Sequence, residues 1–126
     1  MKSCLSYSAI LCAALFSTTA AKADPLNGGE LRILLAGKTL HLSAPFGSLP
    51  IRYSAGGTMV ARSKAMLVYA GVGEDRGSWR IQGNQVCQRW QIWNKGKEQC
   101  FSVSRDGNSV RWRSNDGMSG TAVASK

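Results

Sequence analysis

From residue 38 onward the chain alternates between apolar and polar positions. In "KTLHLS" (38–43), Leu40 and Leu42 point one way and Thr39, His41 and Ser43 the other. In "GSWRIQG" (77–83), Trp79 and Ile81 alternate with Ser78, Arg80 and Gln82. In "NSVRWRS" (108–114), Val110 and Trp112 alternate with Arg111 and Arg113. A period of two marks a strand with one buried face. Six further segments have strand length: "SLPIRYS" (48–54), "TMVARS" (58–63), "AMLVYAG" (65–71), "QVCQRWQIW" (85–93), "EQCFSVSR" (98–105) and "SGTAVAS" (119–125). Turn residues such as Ala55-Gly56-Gly57, Asn94-Lys95-Gly96 and Asp106-Gly107-Asn108 separate them. Short strands punctuated in this way predict a mainly β chain, a small antiparallel barrel or sandwich of about seven to nine strands. No segment after residue 37 shows a helical period, which excludes a doubly wound α/β fold.

One helix precedes the strands. Asn27 followed by Glu30 makes a capping-box pattern. Leu31, Leu34 and Leu35 share a helical face, and Gly37 stands where a helix-ending glycine belongs. This reading disposes of the Gly37-Lys38-Thr39 tripeptide as a phosphate-binding loop. That loop needs a glycine where Arg32 stands, and it runs strand, loop, helix rather than helix, joint, strand.

The segment before the helix reads as a leader. Met1 and Lys2, the apolar "SAILCAALF" (8–16) and the small residues through Ala21 and Ala23 predict a cleaved signal peptide over 1–23 and a single β-rich domain over 24–126. The apolar run is short for a bilayer span, and no second one follows, so the mature chain is expected to have no integral membrane segment. The expected location is the periplasm or the outside of the cell. The whole chain carries 16 Lys+Arg against 7 Asp+Glu. Lys2 and Lys22 fall in the leader, which leaves 14 basic side chains and a formal charge of +7. Export separates such a protein from nucleic acid. Its natural partners are anionic: glycan, lipopolysaccharide, lipid head groups or an acidic protein.

Cys4 and Cys12 belong to the leader, leaving Cys87 and Cys100 as an even pair in an oxidising compartment. A disulfide is the expected outcome. Two cysteines and the lone His41 are too few ligands for a metal site, and no cofactor is expected. The bridge conflicts with the turn signal. A three-residue loop at Asn94-Lys95-Gly96 would set Cys87 opposite Val103, whereas a bridge sets Cys87 opposite Cys100 and Arg89 opposite Glu98. A covalent link outweighs a turn preference, so the bridged register is expected, with an Arg89–Glu98 ion pair and an exposed Trp93 at a widened tip.

Four tryptophans in so short a chain supply buried area to a small core. They also offer a contact surface, in which Trp90, Trp93 and Trp112 lie beside Arg89, Arg111 and Arg113. Catalytic chemistry finds little support. His41 is the only histidine, no nucleophile-elbow pattern is present, and Asp75, Asp106 and Asp116 read as turn residues. No catalytic residue is expected.

The order of "LLAGKT" (34–39), "GGTM" (56–59), "DRGSWRIQGNQVCQRW" (75–90) and Cys100-Phe101 resembles a loose group of small exported proteobacterial proteins of unknown function. The shared features are a Gly-Lys-Thr joint, a Gly-x-Trp strand and a Cys-x-x-Trp strand with a second Cys. The resemblance covers most of the mature chain and implies compartment and fold more than activity. More distantly the chain is similar to periplasmic β-barrel inhibitors of secreted metalloproteases, which also combine tryptophan with a single disulfide. That likeness implies an alternative role as a small-barrel protease inhibitor.

Overall fold

Period-two alternation has to bury one face of every strand, and here the sheet does so by closing on itself. In a computed structural model, which describes residues 24–125, eight strands form a closed antiparallel barrel in which each pairs with its neighbours in sequence and β1 pairs with β8. The strands are β1 (Lys38–Ala44), β2 (Gly47–Tyr53), β3 (Thr58–Arg62), β4 (Glu74–Gln82), β5 (Gln85–Trp90), β6 (Gln99–Asp106), β7 (Ser109–Ser114) and β8 (Ser119–Ala124). Of the two architectures expected, barrel and sandwich, the barrel is the one formed. Eight of the nine expected strand segments are strands. The ninth, "AMLVYAG", is not: it forms a helix, α2 (Lys64–Ala70).

The barrel is filled by side chains, as an eight-stranded one should be. Leu40, Leu49, Ile51, Tyr53, Met59, Ala61, Trp79, Val86, Trp90, Val103, Val110, Ala122 and Ala124 form one buried cluster. Small residues make room for large ones. At Gly77 on β4, an added Cβ would stand 2.2 Å from the Arg89 carbonyl oxygen and 2.8 Å from the Met59 Cε. The Tyr53 hydroxyl is buried and donates to Gln88 Oε1 at 2.9 Å, and burial pushes its ionisation well above the ordinary phenol range.

Helix α1 (Gly28–Leu35) closes one end. Its capping box is formed in both directions: Glu30 N donates to Asn27 Oδ1 at 2.9 Å, and Asn27 N donates to Glu30 Oε1 at 3.1 Å. Leu31, Leu34 and Leu35 are buried in the barrel core. Gly37, with φ of 73°, turns the chain into β1. Lys38 Nζ donates to the Ile33 carbonyl oxygen near the helix end, so the lysine of the Gly-Lys-Thr tripeptide serves the C-terminus of α1.

The Cys87–Cys100 disulfide is present, with an S–S distance of 2.07 Å, and the two residues are directly opposed on β5 and β6. The sulfurs lie on the outer face. The expected partner of Arg89 is elsewhere: Glu98 pairs with Arg80 at 2.8 Å. The β5–β6 ladder ends at Gln88–Gln99. Glu98 therefore lies beyond it and reaches sideways to Arg80, the β4 partner of Cys87. The expected leader over 1–23 lies outside the described residues.

Two outcomes test this packing. Gly77→Ala should destabilise the domain by at least about 2 kcal/mol, because the new methyl meets backbone on the neighbouring strand; urea unfolding followed by tryptophan emission measures it. Removing the bridge by Cys87→Ala with Cys100→Ala should cost about 3 kcal/mol for a loop of this size. That corresponds to roughly 10–20 °C in Tm, read by circular dichroism.

Candidate functional site

In an up-and-down barrel all odd-to-even connections emerge at one end. Here the end opposite α1 carries the β1–β2, β3–β4, β5–β6 and β7–β8 connections. The connections at the plugged end are short and rich in glycine, such as Gly83-Asn84 and Gly107-Asn108. At the open end the β3–β4 and β5–β6 connections are longer, and all four carry apolar side chains. Leu67, Val68 and Tyr69 of α2 are 53%, 89% and 64% exposed, Ile92 is 54% exposed, and Met118 is 56% exposed. Among the described residues Ile33 and Val123 are the other exposed large apolar ones, and they lie on α1 and β8.

Why α2 is a helix is legible in its ends. Ser63 caps it, its side chain accepting from Met66 N at 3.2 Å. Gly71 stops it with φ of 76°. Met66 alone is buried, and it joins the barrel core. Leu67, Val68 and Tyr69 are left outside, with the Tyr69 ring 5.5 Å from that of Phe46 on the β1–β2 connection.

The β5–β6 connection is built on a buried carboxylate. Asp75, at the start of β4 and 1% exposed, accepts from Arg76 N at 2.8 Å, from Ile92 N at 3.2 Å and from Trp93 N at 2.9 Å. The sequence reads it as a turn residue; it lies instead on a strand facing inward. Its neighbour Glu74 faces outward, where Arg62 and Arg76 bind it at 3.3 Å and 2.8 Å. The hydrogen bond from Arg62 above all, with the charges of both arginines, holds the Glu74 carboxyl below the usual carboxylate range. A depressed carboxyl stabilises the folded form above its unfolded pKa and loses that contribution as pH falls through the lowered value.

Anchoring by Asp75 also places Trp93. The turn Trp93–Gly96 contains Asn94 and Lys95 with φ of 54° and 53°. It folds the Trp93 ring back onto Trp90 at 4.7 Å. Trp93 is therefore half-buried, and the exposed apolar residue of the tip is Ile92. Across the same end, Gln99 donates to Asp116 on the β7–β8 connection at 2.9 Å. Ser114 and Gln99 both hydrogen-bond Asp116, which holds its carboxyl below the usual range.

The aromatic and arginine residues marked in the sequence fall on opposite sides of the barrel wall. Trp90 is buried. Trp112 packs inward against Phe101, ring centres 5.6 Å apart, and against Gly120, where a Cβ would meet its ring at 2.4 Å. Its indole N–H is buried without a partner. Arg89, Arg111 and Arg113 point outward and are exposed. By register, Arg113 faces Ser102 and Arg111 faces Ser104 on β6, while Arg89 faces Ser78 on β4. Arg89 thus lies apart from the other two, by two strand spacings or about 10 Å across the sheet.

Two further groupings bear on chemistry. His41 Nε2 lies 2.6 Å from Ser125 Oγ, beside an open depression lined by His41, Ser43, Ala44, Gly47, Ser48 and Val123. Among the described residues no carboxylate hydrogen-bonds to that imidazole, so the pair fastens the β1–β8 seam without the orienting acid of a nucleophilic triad. Cys87, Glu98 and Cys100 cluster closely, but the sulfurs are bonded to each other and Glu98 to Arg80. No family model, curated protein or solved structure matches this chain.

Replacing Asp75 by Ala leaves three part-buried backbone donors without their acceptor, and should destabilise the domain by about 3 kcal/mol. Asp75→Asn, which keeps one acceptor oxygen, should lose less. Denaturant unfolding gives both values, and faster amide exchange at Ile92 and Trp93 would locate the damage. In a carboxyl titration by carbon NMR, Glu74 should titrate below an ordinary glutamate, and Arg62→Ala should bring it back up.

Proposed function

We propose that the protein is a non-catalytic exported binding module that engages an anionic component of the cell envelope, or an acidic protein, through its basic surface. The observation that carries this reading is the state of the charges. Of the seven acids, five are committed within the fold: Glu30 in the helix cap, Glu74 to two arginines, Asp75 to backbone N–H groups, Glu98 to Arg80, and Asp116 to Ser114 and Gln99. Arg52, Arg89, Arg111 and Arg113 are exposed, and no carboxylate lies within ion-pair distance of them among the described residues. Surplus positive charge on a rigid wall attracts an anionic surface over the range of a Debye length. Guanidinium groups suit phosphate and carboxylate through paired donors.

A second reading, a protease inhibitor of the small-barrel type, draws on the barrel and its single disulfide. Inhibitors of that type reach a protease with an N-terminal trunk. Here Leu26 N donates to the Val103 carbonyl at 2.7 Å and Asn27 caps α1. With cleavage after Ala23, only Asp24 and Pro25 stand ahead of the first tether. The anionic-partner reading is therefore the better supported.

Retention of the exported protein on immobilised lipopolysaccharide and on dextran sulfate should fall steadily as salt rises. Changing Arg89, Arg111 and Arg113 together to Ala should weaken it by up to about 100-fold, at roughly 1 kcal/mol for each cation at an anionic surface. Unchanged retention would remove the reading. Stoichiometric slowing of a secreted metalloprotease or serine protease by the purified protein would favour the inhibitor instead.

A further inference from the structure

We infer that the open end of the barrel is a membrane-docking tip: Val68 and Tyr69 of α2, with Ile92 and Met118, enter the interface of an anionic bilayer while Lys64, Lys95 and Lys97 meet its head groups. The inference rests on the anionic-partner reading and names the partner as a lipid surface.

The apolar side chains come from three separate connections. Leu67, Val68 and Tyr69 belong to β3–β4, Ile92 to β5–β6 and Met118 to β7–β8. They share one end because antiparallel topology puts those connections there. Each connection is tied to a neighbouring element. Asp75 binds the Ile92–Trp93 backbone, Gln99 binds Asp116, and Phe46 packs on Tyr69. Leu67, Val68 and Tyr69 stand side by side on α2, Val68 being 89% exposed, while Ile92 and Met118 come from other connections. A fluid interface accepts side chains from several connections without a partner shaped to each.

The charges around the tip fit the same partner. Of the four lysines among the described residues, three lie in these connections: Lys64 opens α2, and Lys95 and Lys97 flank the β5–β6 turn. All three are exposed. At this end Glu74 and Glu98 are paired with arginines, Asp75 is buried, and Asp116 keeps its charge beside the neutral Ser114 and Gln99; the exposed Arg62, Lys64, Arg76, Lys95 and Lys97 outnumber these acids, so the charge offered outward is positive. Lysine beside apolar and aromatic side chains is the arrangement that anchors peripheral proteins, with the stem along the apolar layer and the ammonium among phosphates. Such anchors sink about 5–10 Å into the head-group and acyl boundary. The two acids with other placements, Asp24 and Asp106, precede α1 and close the β6–β7 hairpin at the plugged end.

The test uses the protein recovered from its native compartment and vesicles of phosphatidylcholine with or without phosphatidylglycerol. Flotation should show binding to the anionic vesicles. Part of it should survive about 1 M salt, where the Debye length falls to about 3 Å and only apolar insertion persists. Val68→Ser with Tyr69→Ser and Ile92→Ser should reduce vesicle binding at least tenfold and abolish the salt-resistant part, with retention on dextran sulfate unchanged. A Val68→Trp reporter should shift to the blue and be quenched by brominated acyl chains, while Ser109→Trp at the plugged end should do neither. The reporter decides the matter if the triple variant is poorly folded. Retention on dextran sulfate with no vesicle binding, or an unquenched Val68→Trp on bound protein, overturns the tip and leaves the anionic-partner reading standing. Capture of an acidic protein by the tip with no lipid binding overturns it equally. Loss of both dextran sulfate and vesicle binding in the wild type sinks the two readings together.

Discussion

A covalent link between directly opposed residues fixes the register of β5 on β6, and the loop end of the barrel follows from that register. The β5–β6 ladder has only three paired positions, Val86–Phe101, Cys87–Cys100 and Gln88–Gln99. A slip of one residue in so short a ladder would turn every side chain of the strand to the other face. With Cys87 pinned outward, Val86, Gln88 and Trp90 must face the core, and Arg89 must face solvent. Eight residues, 91–98, then remain to cross from Trp90 to Gln99, more than a tight hairpin needs. A connection of that length exposes backbone donors, and Asp75 satisfies those of Ile92 and Trp93 from inside the wall. A buried carboxylate without a guanidinium partner is tolerated because three N–H groups solvate it in place of water.

The two ends of the barrel have divergent chemistry as a result. At the plugged end α1 supplies apolar side chains to the core, and short hairpins leave little else to expose. The helix at the open end is nearly as long as α1 but does not plug it. Helix α2 contributes only Met66 to the core and turns three large side chains outward. A helix of seven residues has too little buried area to hold itself in place. Its hold comes from Ser63 and Gly71 at its ends and from the β3 and β4 strands on either side, clamped by Glu74 between Arg62 and Arg76.

Much of this architecture is legible in the sequence where the physics is local. The period-two strands, the Asn27–Glu30 capping box and the bridged register each depend on residues close along the chain, and each appears in the fold. Closure is not local. It needs β1 to meet β8 through Leu40–Ala124, His41–Val123 and Leu42–Ala122, pairs some eighty residues apart, so alternation alone leaves barrel and sandwich equally open. The segment "AMLVYAG" misleads because an uninterrupted apolar run carries neither period; its helical signals are Ser63 before it and Gly71 after it. Asp75, followed by Arg76-Gly77, has the composition of a turn, yet Gly77 is there to let Arg89 and Met59 approach. The Trp112–Arg111–Arg113 triplet shows the limit from the other side. Alternation correctly separates tryptophan from arginine across the wall, and that same separation prevents them from forming one contact surface.

In the binding that we propose, the wall and the tip act over different distances, which is why both belong in one account. Arginines on the wall raise the attraction of an anionic surface over about 10 Å but fix no orientation, because they spread over several strands. Apolar side chains act only in contact, yet they occupy one end, so contact through them sets the barrel axis upright on the surface. In that pose the plugged end, with its short polar hairpins and Asp106, faces away from the anionic layer, and the lysines of the open end face into it. The four connections at the open end are laced together by Asp75, Gln99 and the Phe46–Tyr69 contact, so the proposed pose would need no rearrangement of these contacts. The proposed division between a charged wall that would capture and an apolar end that would orient requires nothing beyond the antiparallel topology and the placement of α2 within it.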